Sequence, residues 1–207
     1  FELVEKSDNH ISFRIDSDSE SKNMFPYDFE LYSKYELEDR SIKITYEVVN
    51  PSDEVLPFFV GAHPGFMCPF NQGEEYCDYY LDFEQKESCT VPTPVAETGL
   101  IDMEHRTPLL DNENRIWLKH ELFHKDAIIL DEIKSRSVKL ISKNKGNGIR
   151  MDFADFPYLI LWSSSNDGPF IAIEPWTGLS TCSDESDIFE EKRNVQILSP
   201  HSSRVYS

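Results

Sequence analysis

Phe29-Glu30-Leu31-Tyr32-Ser33-Lys34-Tyr35-Glu36-Leu37-Glu38-Asp39-Arg40-Ser41-Ile42-Lys43-Ile44-Thr45-Tyr46-Glu47-Val48 is the stretch that decides the fold class. Phe29, Leu31, Tyr35 and Leu37 alternate with Glu30, Lys34 and Glu36, and Ile42, Ile44, Tyr46 and Val48 alternate with Lys43, Thr45 and Glu47. A period of two lines one face of a pleated strand with apolar side chains, so both halves are predicted to be half-buried antiparallel strands. Only Glu38-Asp39-Arg40 separates them, which predicts a hairpin.

The same period recurs outward from this stretch. Ile11, Phe13 and Ile15 alternate with Ser12 and Arg14. Val138 and Leu140, then Asn144-Lys145-Gly146-Asn147-Gly148, then Ile149, Met151 and Phe153 predict a second hairpin, with Asn and Gly supplying the positive φ angles of a tight turn. Tyr158 to Trp162 and Phe170 to Ile173 are instead continuous apolar runs joined by Asn166-Asp167-Gly168-Pro169, as expected of central strands covered on both faces. Helix signals are sparse. Acidic residues at 184, 185 and 187 and a basic one at 192 predict one or two helical turns over Ser183 to Lys192. Thr90 to Asn114 is polar and reads as a long surface excursion. The expected architecture is all-β, a large antiparallel sandwich.

A chain of 207 residues, 39% hydrophobic and 13% aromatic, builds one substantial core, and a single domain over 1–207 is expected. Against 38 Asp and Glu stand 20 Lys and Arg, a formal charge of −18, which repels phosphate backbones and anionic lipid and argues against nucleic-acid and membrane partners. No apolar run approaches the roughly 18 residues of a membrane-spanning helix. Cys68, Cys77, Cys89 and Cys182 lack C-x-x-C spacing and are expected to be free thiols in a reducing, cytoplasmic compartment. Phe1 enters the apolar pattern at once and the last strand stops at Tyr206-Ser207, so the chain reads as trimmed at both ends.

Two segments carry chemistry. In Phe58-Phe59-Val60-Gly61-Ala62-His63-Pro64-Gly65-Phe66 a strand pattern ends in an imidazole placed before proline, and proline holds its predecessor extended. A lone histidine there would read as a hydrogen-bonded core residue. In Phe170-Ile171-Ala172-Ile173-Glu174-Pro175-Trp176-Thr177-Gly178 a carboxylate ends a buried strand, again before proline and beside a large aromatic. A buried carboxylate is costly unless paired or neutralised, so it reads either as a salt bridge or loop cap, or as a general base with a raised pKa.

Gly61-Ala62-His63-Pro64-Gly65-Phe66, the upstream Phe25-Pro26-Tyr27-Asp28-Phe29-Glu30-Leu31 and Ile173-Glu174-Pro175-Trp176 together resemble the LacX-type branch of the aldose 1-epimerase (galactose mutarotase) superfamily, in consistent order over nearly the whole chain. The resemblance implies a galactose-mutarotase-like β-supersandwich and interconversion of the α and β anomers of a neutral hexose such as galactose or glucose. It makes His63 the acid that protonates the ring oxygen and Glu174 the base that removes the anomeric hydroxyl proton. Asp126, in Phe123-His124-Lys125-Asp126-Ala127, matches the sugar-binding aspartate. Phe66, Trp162 and Trp176 are candidate walls for the sugar ring, although each alone would read as core. Nothing in residues 1–62 matches the upstream histidine and arginine of the family. One acid and one base suffice for mutarotation, so no cofactor or metal is implied, and the partner is a small-molecule sugar. Across a bound ring the tips of His63 and Glu174 are expected to stand one ring and two hydrogen bonds of about 3 Å apart.

Three alternatives stay open at this point. A noncatalytic carbohydrate-binding module would use the same residues. A hexose-6-phosphate epimerase would need a basic phosphate pocket, and the matched segments show no Arg or Lys cluster. His120-Glu121-Leu122-Phe123-His124 satisfies the H-E-x-x-H zinc-protease signature, but that motif works on a stable helix, and the flanking Arg115 to Lys119 and Ala127 to Leu130 read as strands.

Overall fold

The computed structural model describes residues 1–207, and its regular structure is strand apart from four short 3-10 turns. The strands in chain order are β1 (Glu2–Lys6), β2 (His10–Asp16), β3 (Glu30–Glu38), β4 (Ser41–Val49) and β5 (Leu56–Phe58). They continue as β6 (Gly65–Met67), β7 (Tyr79–Val95), β8 (Leu100–Trp117), β9 (Ile128–Leu130) and β10 (Ser137–Ser142). The last five are β11 (Gly148–Asp152), β12 (Tyr158–Trp162), β13 (Phe170–Trp176), β14 (Gln196–Leu198) and β15 (Ser203–Tyr206). Every pairing between them is antiparallel. The chain divides into two compact units, residues 1–60 with 195–207 and residues 61–194.

In the first unit a five-stranded sheet runs β1-β2-β3-β4-β15, and β14 pairs with β5. The opening stretch forms β3 and β4 as expected, closed by Asp39 at a φ of 51°. Asn50, wholly buried, stitches this unit together. Its amide nitrogen donates to the carbonyls of Glu54 and Leu198 at 2.7 and 3.2 Å, and its Oδ1 accepts from the Ser52 amide at 3.1 Å. Asn50→Ala leaves several buried backbone groups unpaired and is expected to cost about 2–3 kcal/mol, measured as a lower urea midpoint at unchanged slope.

In the second unit one sheet runs β11-β10-β7-β8 and another β6-β13-β12-β9. The second predicted hairpin is β10–β11, where Gly146 takes a φ of 69° that a side chain would resist. The two continuous apolar runs are β12 and β13, central in their sheet, with Leu159, Leu161, Ile171 and Ala172 fully buried.

One expectation is corrected and another is met only in part. Thr90 to Asn114 lies largely at the surface as expected, but it is not a loop: it forms most of the long β7–β8 hairpin and buries Val91, Ile101 and Leu110. Register shifts at Glu87/Ser88, Cys89/Thr90 and Pro92/Thr93 break the period of two, and prolines at 92, 94 and 108 mimic loop composition. Over Ser183 to Lys192 only Phe189–Glu191 is helical, a single 3-10 turn. The acidic side chains meant to start a helix are otherwise engaged. Glu185 accepts from the backbone amides of Cys182 and Arg193 at 2.9 and 2.7 Å, and Asp184 binds the Arg193 guanidinium at 2.6 Å.

Candidate active site

Register builds the site. β6 runs alongside β13 with Gly65 opposite Ala172 and Phe66 opposite Ile171. The same register reappears upstream, where Gly61 bridges Trp176, and carried between these points it sets His63 opposite Glu174. Two backbone bonds hold it there: the Ile173 amide donates to the Pro64 carbonyl at 3.2 Å and the Ala62 amide to the Pro175 carbonyl at 3.0 Å. Pro64 and Pro175 offer no N–H in return, so regular pairing lapses beside the pair while its alignment survives.

His63 Nε2 lies 3.2 Å from Glu174 Oε1. The two tips therefore touch, rather than standing a sugar ring apart as expected from sequence. The reason is burial: the Glu174 side chain is 2% exposed, and a carboxylate held there takes the polar partner the ladder sets against it. His63 is open, its side chain 60% exposed. Desolvation pushes the Glu174 carboxyl up to about 7. The apolar surroundings come from the same face of the sheet. Alternation along β13 and its register with β12 and β9 put Ile160, Ile129, Tyr158 and Trp176 on the face of Glu174. Ile160 and Ile129 cluster with Ile101, Leu179 and Cys182, and Trp176 and Tyr158 pack against them.

The candidate ring walls divide. Trp162 lies on this face, edge-on to His63 at 5.9 Å between centroids. Trp176 also lies here and donates from its indole Nε1 to the Ala62 carbonyl at 3.2 Å. Phe66 pairs with Ile171 and so belongs to the opposite face from Glu174. The structure does not bring it to the pair. Asp126 precedes Ala127, which packs against the apolar cluster, and its Oδ1 accepts from the Ala127 amide at 2.7 Å.

The H-E-x-x-H residues are drawn apart. His120–Phe123 is one 3-10 turn, His120 stacks on Tyr76 with centroids 4.0 Å apart, and His124 Nε2 meets Asp167 Oδ1 at 2.9 Å. A single tight turn does not place residues four apart on one helical face. All four cysteines are free thiols. Sequence reasoning missed the cluster that Ile101, Leu179 and Cys182 form with Ile160 and Ile129, because Ile101 sits in the polar stretch that reads as a loop and Leu179 and Cys182 follow β13 with no periodicity to mark them as core. It missed Gly61 for want of a register, although Gly61 begins the quoted motif.

Residues 1–186 match the aldose 1-epimerase family. The chain belongs to that family. Within it the chain falls in the LacX-like branch: it is 47% identical over 201 residues to the chromosomal LacX protein of Lactococcus lactis subsp. lactis, covering 97% of this chain and 67% of that protein. It also resembles the X-ray structure of a galactose mutarotase related enzyme of Lactobacillus acidophilus, with a TM-score of 0.88 at 26% identity over 100% of this chain and 68% of that one. A galactose mutarotase-like protein of Lactobacillus casei aligns with a TM-score of 0.82 at 27% identity, over 100% of this chain and 70% of that one. The fold is thus galactose-mutarotase-like, all-β and antiparallel. Family membership gives a general aldose-epimerase function, an isomerisation acting on a small-molecule sugar. No helix is long and apolar enough to cross a membrane.

Proposed function

We propose that the chain is an aldose 1-epimerase that interconverts the anomers of a neutral hexose such as galactose or glucose, with Glu174 as base and His63 as acid. The observation that carries this reading is the buried Glu174 carboxyl, raised to about 7, within 3.2 Å of an exposed imidazole. In the ionised form Glu174 takes the proton of the anomeric hydroxyl while protonated His63 gives one to the ring oxygen, and the C1–O5 bond breaks. Rotation of the aldehyde followed by the reverse transfers closes the ring on its other face. Each cycle returns both protons, so the residues need no external acid, base or cofactor. Trp162 and Trp176 offer apolar ring surface beside the pair, and Asp126 is the candidate hydroxyl acceptor.

A neutral rather than phosphorylated sugar is supported by the state of two arginines of this unit. Arg106 is held by Asp131 and Glu132, and Arg193 by Asp184 and Glu185. Pairing of this kind leaves these two guanidinium groups little positive charge to offer a phosphate. The four free thiols support a reducing, cytoplasmic location. The test is anomer exchange of galactose and glucose followed by saturation-transfer NMR. Exchange above the uncatalysed rate is expected for at least one of them. Binding of either sugar with unchanged exchange would assign the site to a noncatalytic carbohydrate-binding module.

A further inference from the structure

Facing residues of an antiparallel ladder exchange two N–H to carbonyl bonds at each hydrogen-bonded pair. Ala62 and Pro175 form such a pair, and the Ala62 amide donates to the Pro175 carbonyl at 3.0 Å. The return bond cannot form, because proline has no N–H. Its acceptor, the Ala62 carbonyl, receives the indole Nε1–H of Trp176 at 3.2 Å instead. The ring reaches that carbonyl only because residue 61 is glycine: a Cβ there would lie 2.6 Å from Trp176 Cδ1, 3.0 Å from Cγ and 3.3 Å from the Pro175 carbonyl oxygen. Ala62 adjoins His63 and Pro175 adjoins Glu174. The substituted bond therefore sits one residue from each member of the pair.

Resting on the acid–base reading above, we propose that Trp176 and Gly61 are positioning residues for the reaction: the indole N–H stands in for the ladder bond that Pro175 deletes, Gly61 seats the ring, and together they keep His63 opposite Glu174. The arrangement explains how the site keeps a proline after Glu174, which holds the carboxylate extended, without losing register with the strand that carries His63. It also gives Trp176 a role separate from any contact its ring makes with sugar.

The decisive variants are Trp176→Phe, which keeps an aromatic ring but removes the donor, and Trp176→Phe combined with Pro175→Ala, which restores a backbone N–H in its place. The single variant is expected to lose about 10- to 10²-fold in kcat with KM changed far less, since small misplacement of reacting groups costs rates of this size. The double variant is expected to recover most of that loss. Gly61→Ala is expected to lose a similar factor and not to be rescued by Pro175→Ala, because the clash with the ring remains. A second readout is independent of turnover: the ¹³C-carboxyl titration midpoint of Glu174 should move in Trp176→Phe and Gly61→Ala and return in the double variant. A Trp176→Phe protein that melts lower but keeps the wild-type kcat and titration midpoint has lost only stability, and overturns the proposal. A double variant that folds yet recovers neither quantity overturns it as well. Absence of anomer exchange in the wild type would sink the epimerase reading, while the titration series would still decide the role of the indole.

Discussion

Glu174→Gln is expected to lower kcat by at least ~10²-fold while sugar binding largely survives. Glutamine keeps the size of the side chain and an oxygen within reach of His63 Nε2, 3.2 Å away in the native pair, but it cannot accept the anomeric proton. His63→Asn removes the proton donor and should lose a comparable factor. Because both protons move in one ring opening, the double variant should be little slower than the worse single one. The pH profile supplies a further check. A base must be ionised, so the wild-type rate should rise through pH of about 7, where the Glu174 carboxyl titrates. Independent, additive losses for the two variants would show that the residues do not act as one unit.

The same substitution is expected to stabilise the fold at alkaline pH. The Glu174 carboxyl moves from an ordinary value of 4.5 to about 7 on burial. Between these values the folded chain holds a proton that the unfolded chain has released, so stability falls as pH rises through the window. The contribution is complete below about 4.5 and lost above about 7. Its size corresponds to roughly 3 kcal/mol, the cost of ionising a carboxyl in apolar surroundings. Glutamine never ionises. Other groups also titrate, so the informative quantity is the difference between Glu174→Gln and wild type in paired urea unfolding curves. The variant should be more stable by about 2–3 kcal/mol at pH 8, and the two should converge near pH 4. Equal stabilities at pH 8 would mean that the ionised carboxylate carries no desolvation cost. A variant that is slower and more stable has the trade-off expected of a residue retained for chemistry rather than for folding.

How much could be read without coordinates differs element by element. Strands β3 and β4 were legible because one face of each is apolar and the other polar, so alternation is written directly into residues 29–48. Strands β12 and β13 were legible as continuous runs because both faces are covered. The β7–β8 hairpin was not: its bulges shift the pattern by a residue at several points, and prolines at 92, 94 and 108 carry the composition of a loop. The turn at Phe189–Glu191 was only half legible, because propensity does not reveal that Asp184 and Glu185 are drawn to Arg193.

By itself the sequence determined the all-β class, the family resemblance and the two ionisable residues placed before proline, since periodicity, motif order and the proline constraint are local properties of the chain. Only the tertiary structure decided what these residues meet. Pairing register is non-local, and a displacement of one residue turns every side chain to the other face. That register sets His63 against Glu174, carries Trp162 and Trp176 to the same face and sends Phe66 to the opposite one. It also carries Ile160, and beyond it Ile129, to the face of Glu174, where Ile101, Leu179 and Cys182 complete an apolar cluster, and burial is what raises the Glu174 carboxyl to about 7.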